Sequence, residues 1–424
     1  MKKFILLNTV LLICSLSFAQ DRLHAALDTD DYETAISITD SLLNAATDSV
    51  QVKRLTINKA QYLKKLYKYD EAISAITSLS PGWLLDDVLL AQVADAQYLG
   101  GASEDALMSY VLLASRQPDN IFYSIRKMSL EYSVQDYAGA IATGHHILAR
   151  DSIARVVSLM GDSFSKLEQK DSAEWYYRRN LSFNPLNKNT LLKLSSILME
   201  KGRFAEVEQM TVAYLERRPD DASIATVAGV SQYRLKEYRD AEASFLSIYD
   251  TGDPFTVHRY LGEIYFAQTD VAAQYYLEAE DEFSRAYEAD SLNVDNILKL
   301  ADVKSRFTEK KRAEALELLK KAERLVLPDS TLMYRVCRGY AQNYMSAENY
   351  AAALPYFKKA LDYNPGYIYA LAAMGLCCER TKDYRNAKVW YERYLKIASP
   401  ETATARFVRQ GLDFVKGELF MEEK

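Results

Sequence analysis

Residues Tyr334–Asn364, YRVCRGYAQNYMSAENYAAALPYFKKALDYN, carry the pattern that decides the fold. Ala341 stands near the middle of the first apolar-periodic half, with Cys337, Tyr340 and Tyr344 beside it at helical spacing. In the second half Tyr350, Ala353, Phe357 and Ala360 recur at intervals of three and four, which puts them on one helical face. Pro365 follows, and proline disfavours helix in the residue before it. The stretch therefore reads as two helices and a stop.

The same arrangement recurs along the chain. Segments such as DDYETAIS, YKYDEAIS, KEYRDAEASF and TKDYRNAKVWY align on a central small residue. That marker falls at Ala35, Ala72, Ala106, Ala140, Ala173, Val207, Ala241, Ala279, Ala315, Ala353 and Ala387, a period near 34. Three residues earlier stands an aromatic in Tyr32, Tyr69, Tyr137, Phe204, Tyr238, Tyr276, Tyr350 and Tyr384. Four residues after the marker another ring recurs in Tyr110, Tyr177, Phe245, Phe283, Phe357 and Tyr391. A small residue marks the first helix in Ala60, Ala94, Gly161, Gly229, Gly262, Ala301, Ala341 and Gly375, where a missing side chain lets two helices approach. Pro118, Pro185, Pro219, Pro254, Pro328, Pro365 and Pro400 are expected to be helix stops. Pro355 predicts a kink inside a second helix, and Gly101 and Gly202 are expected in left-handed turns between helices.

This pattern resembles the tetratricopeptide repeat family over about residues 20–400. The resemblance implies an all-α fold, an α-α superhelix or right-handed solenoid of about eleven helix-turn-helix repeats. Two repeats depart from it, with Ser103 and Lys170 where the aromatic belongs, and the tryptophan common in the family's first helix is replaced. The first repeat is expected to be truncated, with a short helix from about Arg22 to Leu27. Residues 401–424 form a capping helix and tail, with Ala405, Val408, Leu412 and Val415 on its buried face. Gly262 stands 17 residues before Ala279, where Gly229 stands 12 before Ala241. The extra residues within Gln268–Tyr276 either lengthen both helices or form a loop.

Residues 1–19 read as a secretory signal peptide: Met1-Lys2-Lys3, a short apolar run, and small residues before a cut after Ala19. The expected product is exported, periplasmic or envelope-associated, and soluble. Cys14 after an apolar run raises a lipoprotein alternative, but Ile13 stands where such signals place Gly or Ala. The remaining cysteines, Cys337, Cys377 and Cys378, are too few for a disulfide scaffold and read as buried apolar residues.

The net charge is −6, which argues against nucleic acid as a partner. The 4 histidines are scattered without ligand spacing, and no phosphate loop, nucleophile elbow or paired zinc ligands occur. The expectation is a binding protein, not an enzyme, with no catalytic, cofactor or metal residues. Most of the 31 tyrosines read as the buried rings that the repeat requires.

The resemblance implies a scaffold that holds a protein or peptide on the concave wall made by successive first helices. Aligning the repeats puts Arg259, Lys299, Arg306, Arg335, Arg338, Tyr369 and Arg380 on that wall in the last four repeats. Glu263, Asp295, Asp302 and Glu379 share it, and the family's Lys/Asn/Arg clamp for a terminal carboxylate is incomplete. An acidic or aromatic-rich segment is therefore the expected partner. The earlier wall offers Tyr98, Phe122 and Tyr132, an apolar surface suited to a hydrophobic helix. Two further expectations concern partners: a peripheral, membrane-associated complex, and, as an alternative function, a glycan-binding module of a nutrient-uptake system.

Overall fold

The structure is a computed structural model that describes residues 19–79, 82–326 and 330–422. All but the last residue of the expected signal peptide, residues 1–19, and the stop expected at Pro328 lie outside the described residues. Every regular element described is helical.

The helices come in pairs. Residues 19–28 (α1) precede α2 (Tyr32–Ala45), followed by α3 (Ser49–Lys65) with α4 (Tyr69–Leu79). A short 3-10 turn, Trp83–Leu85, leads into α5 (Asp87–Leu99) and α6 (Ser103–Arg116). Then come α7 (Ile121–Ser133) with α8 (Tyr137–Leu148), α9 (Ala154–Lys166) with α10 (Lys170–Phe183), and α11 (Lys188–Glu200) with α12 (Phe204–Leu215). The next pairs are α13 (Ala222–Leu235) with α14 (Tyr238–Leu246), and α15 (Pro254–Ala267) with α16 (Tyr275–Ala289). They are followed by α17 (Val294–Ser305) with α18 (Glu309–Val326), α19 (Ser330–Ser346) with α20 (Tyr350–Tyr363), and α21 (Tyr369–Arg380) with α22 (Tyr384–Ile397). A single helix, α23 (Ala403–Glu422), ends the array. The chain divides into two compact units, one running to Ile197 and one starting at Leu198, so the division falls within α11. Inside each unit, helices pack chiefly on their neighbours in sequence.

All eleven marker residues, Ala35 to Ala387, are completely buried. Four positions further on, the large ring of the second helix lies against the small residue of the first. A Cβ built on Gly161 would fall 2.6 Å from the Tyr177 ring, one on Gly229 2.7 Å from Phe245, and one on Gly262 2.7 Å from Phe283. Gly375 stands closer still to Tyr391. In the repeat around Ala140 the sizes are exchanged. Met128 occupies the first-helix place and Gly144 the second, where an added Cβ would meet Met128 Cε at 2.8 Å and also Met160. Close packing is thus kept by swapping which helix carries the bulk.

The turn inside nine of the repeats is fixed by one residue in the left-handed region, five places before the marker. Asp30, Tyr67, Gly101, Gln135, Glu168, Gly202, Lys236, Glu348 and Lys382 all have φ between 54° and 82° there. In each case the next amide donates back to the carbonyl five residues earlier, as Asp136 does to Glu131 and Asp383 to Cys378. This pairing satisfies helix-end carbonyls that would otherwise lack donors. Side-chain caps start many helices: Asp31, Asp48, Asp86, Asp136, Asp221, Asp253, Asn293, Asn349 and Asp383 each accept from an amide of the first turn. Such a cap contributes about 1 kcal/mol.

The repeats around Ala279 and Ala315 lack the left-handed residue. In the first of these α15 ends at Ala267 and α16 begins at Tyr275, so the extra residues form a loop and do not prolong both helices. Pro254 also differs from expectation. It is the first residue of α15, capped by Asp253, where its missing amide is one that helix geometry leaves unpaired anyway. Pro355 lies inside α20 without ending it. Beyond the last pair, Ala405, Val408, Leu412 and Val415 of α23 are buried against α21 and α22.

Candidate functional site on the first-helix face

In the second unit the expected cations fall on first helices or, for Arg306, at the end of one, and three of the six are already paired. Lys299 Nζ lies 2.8 Å from Glu263 Oε2 and 5.2 Å from the centre of the Phe266 ring. Arg306 pairs with Asp302 at 3.5 Å, donates to the Tyr276 hydroxyl at 3.3 Å, and lies over the rings of Phe266 and Tyr276. Arg335 is bonded to Asp295. The charge of these three side chains is therefore cancelled from within.

Arg259 and Arg338 differ, having no carboxylate partner among the described residues. Arg259 is half-buried over Phe255 and Tyr260, with ring centres 6.0 and 5.7 Å away. Arg338 is also half-buried, and its Nε is shielded from solvent with no hydrogen-bond partner. Beside it Tyr367 stands between Tyr334 and Tyr369, at ring-centre distances of 6.3 and 6.0 Å. Burial pushes the Tyr367 phenol up to about 12, and the Arg338 charge opposes that rise. Tyr369 is exposed, and Arg380 is exposed at the end of α21.

In the first unit, Tyr98 lies in the last turn of α5 while Phe122 and Tyr132 stand on α7. Tyr132 rests edge-on against Tyr137 at 5.4 Å. Tyr98 and Phe122 do not form an apolar wall, because a guanidinium lies between them. Arg126 is 4.4 Å from the centre of the Tyr98 ring and 5.1 Å from that of Phe122. Its Nε is buried without a hydrogen-bond partner, and no carboxylate among the described residues pairs with it.

The absence of a partner has a structural cause. Two residues before the small first-helix place, Lys193 reaches back to Asp162 at 2.7 Å and Lys299 reaches Glu263. Arg126 occupies the same register, and its counterpart would be Asp95. That carboxylate is taken from the other side by Lys64, at 2.8 Å, with Gln92 adding a second contact to the ammonium. Arg126 is left stacked and uncompensated. A guanidinium held flat by rings still presents edge N–H groups, which suit a planar carboxylate in two parallel hydrogen bonds. Sequence reading passed over Arg126, although its register with Lys193 and Lys299 and its spacing of four from Phe122 were both visible.

No three His, Cys, Asp or Glu side chains converge as a metal site among the described residues. No described helix is long and apolar enough to cross a membrane.

Comparison with known proteins bears on the repeat itself. Residues 344–406 match the family model for the tetratricopeptide repeat. Those residues carry a tetratricopeptide repeat. Among solved structures, this repeat protein is similar to a tetratricopeptide repeat protein from Parabacteroides merdae, at 17% identity over 63% of this chain and 97% of the other, with a TM-score of 0.39. It is also similar to the C-terminal part of a TPR repeat-containing protein from Cytophaga hutchinsonii, at 16% identity over 59% and 98%, with a TM-score of 0.45. A third is YrrB, described as a TPR protein with an unusual peptide-binding site, at 17% identity over 46% and 96%, with a TM-score of 0.38. No curated protein matches the chain.

Proposed function

We propose that this repeat protein is an exported interaction scaffold in which the first-helix face of each unit holds an acidic segment of a partner protein, with aromatic side chains alongside. The observation that carries the reading is the contrast between paired and unpaired cations. Lys299, Arg306 and Arg335 each have an acid beside them, whereas Arg126, held between the Tyr98 and Phe122 rings, and Arg338, near Tyr367, have none among the described residues. A partly desolvated guanidinium lacking a counter-charge gains more from an incoming carboxylate than one that must first give up its own. Export rests on the leader-like start of the sequence.

The test is crosslinking capture from the native envelope with single charge reversals. Arg126→Glu and Arg338→Glu are each expected to weaken capture about tenfold or more, the effect of losing one charge-assisted hydrogen bond. Arg335→Glu should do less, since Asp295 already occupies that arginine. Equal capture by all three variants would refute the reading. Intact-mass analysis of the exported protein tests the leader: a chain beginning after Ala19 is expected, and one beginning at a diacylated Cys14 would replace it with a lipid-anchored form.

A further inference from the structure

A cavity of about 490 Å³ opens between α6, α7 and α8, away from the aromatic–arginine contact. Its cause is legible on α8. The face that carries Gly139, Ala142, Thr143 and His146 has small residues two and three places after the marker, where α10 carries Trp175 and Tyr176. The space is within the range of small-ligand sites. Its floor is polar and tightly held. Glu131 is only 6% exposed, its Oε2 has no hydrogen-bond partner, and Lys127 lies 3.4 Å from its other oxygen. Burial raises the Glu131 pKa, while Thr143 and Lys127 favour its charged form.

The pair of opposite charges restricts what can bind. A net cation would meet Lys127 and a net anion would meet Glu131, so neither gains full compensation for its lost hydration. A neutral group that both donates and accepts fits the pair without that cost. The hydroxyls of Ser124 and Thr143 line the same space, and Ser115, whose proton goes to the Leu112 carbonyl at 2.7 Å, contributes lone pairs. Several scattered hydroxyls require a ligand with several polar atoms, which one amide group does not supply. Val111, Pro118 and Ala142 add apolar contact at the rim for C–H surfaces. We propose that this cavity binds a neutral saccharide, with one hydroxyl donating to Glu131 and a neighbouring one accepting from Lys127.

The experiment is a methyl NMR titration of the whole chain, reading Ala142 and Thr143. The probes are glucose, galactose, mannose and N-acetylglucosamine, with acetamide and propylammonium as comparators. At least one sugar is expected to give saturable shifts, Glu131→Gln to weaken that sugar at least tenfold, and Ala142→Phe, on the rim, to abolish its binding. Arg126→Glu should leave it unchanged, so failure here is distinct from failure of the scaffold reading. Silence from all four sugars, saturation by acetamide or propylammonium instead, or sugar shifts that survive Ala142→Phe would overturn the proposal.

Discussion

The ring of Tyr177 lies directly on Gly161: a Cβ at that glycine would stand 2.6 Å from Cε1, inside any tolerable contact. Tyr177 cannot easily withdraw, since its ring is buried and its hydroxyl donates to Asp162 at 2.8 Å. Alanine is the better helix former by about 1 kcal/mol. Overpacking a filled core costs about 1–3 kcal/mol and should win. Gly161→Ala is expected to lower the urea midpoint, whereas Gly417→Ala, with nothing within 4 Å, should raise or preserve it.

Lys382 is held at φ 64° in the turn between α21 and α22. A non-glycine residue there costs about 1–2 kcal/mol, against which glycine brings about 0.5–1 kcal/mol of extra chain entropy on unfolding. Lys382→Gly should therefore be neutral to stabilising, by up to about 1 kcal/mol in denaturant titration. Gly101→Ala, at φ 82°, should move in the opposite direction.

Two buried carboxyls should respond to pH with opposite sign. Burial disfavours the charge of Glu280, but bonds from Lys311 and Lys304 outweigh it, so its pKa is lowered. Its contribution is present above the unfolded carboxylate range near 4.3 and lost as pH falls through the folded value. Glu131 is raised by burial, so its contribution is full below the unfolded value and lost as pH rises through the folded one. Glu280→Gln is expected to be less stable than wild type at pH 7, with the gap closing in acid. Wild type should lose stability relative to Glu131→Gln as pH climbs from 4 to 7. Urea midpoints across that range check both signs.

Cys337, Cys377 and Cys378 are buried, and burial pushes their thiols up to about 11, 12 and 11. The thiolate is the reactive form. Iodoacetamide should leave them untouched in the folded protein at pH 8 and label each as its own repeat opens. Labelling of Cys337 at a different denaturant concentration from the Cys377–Cys378 pair would mark stepwise unfolding of neighbouring repeats, the behaviour expected of a repeat array, and simultaneous labelling would exclude it.

The eleven pairs and the terminal helix were readable because their signals are local: a small residue at a fixed period, a ring four places on, and a face of Ala405, Val408, Leu412 and Val415. The exchange of bulk between Met128 and Gly144 was not, since either residue alone breaks the pattern and only their contact restores it. The charged face shows the same limit. Aligning repeats located Lys299 and Arg335, but whether each is free depends on Glu263 and Asp295 one repeat away. Arg126 was overlooked for a related reason: its availability follows from Lys64 claiming Asp95, a competition among three repeats. Pro254 carries a stop signal in sequence and opens a helix in space because Asp253 caps it.

The loop of residues 268–274 departs from the turn that nine repeats share, and it joins α15 to α16 without a left-handed residue. Val271 there is 80% exposed. A connection already freed from the tight geometry can be lengthened at small cost, because closing a longer loop grows only logarithmically with its length. It is consequently the natural place to graft an epitope or a fluorescent reporter, leaving the spacing of the flanking helices to be set by Gly262 and Phe283 as before.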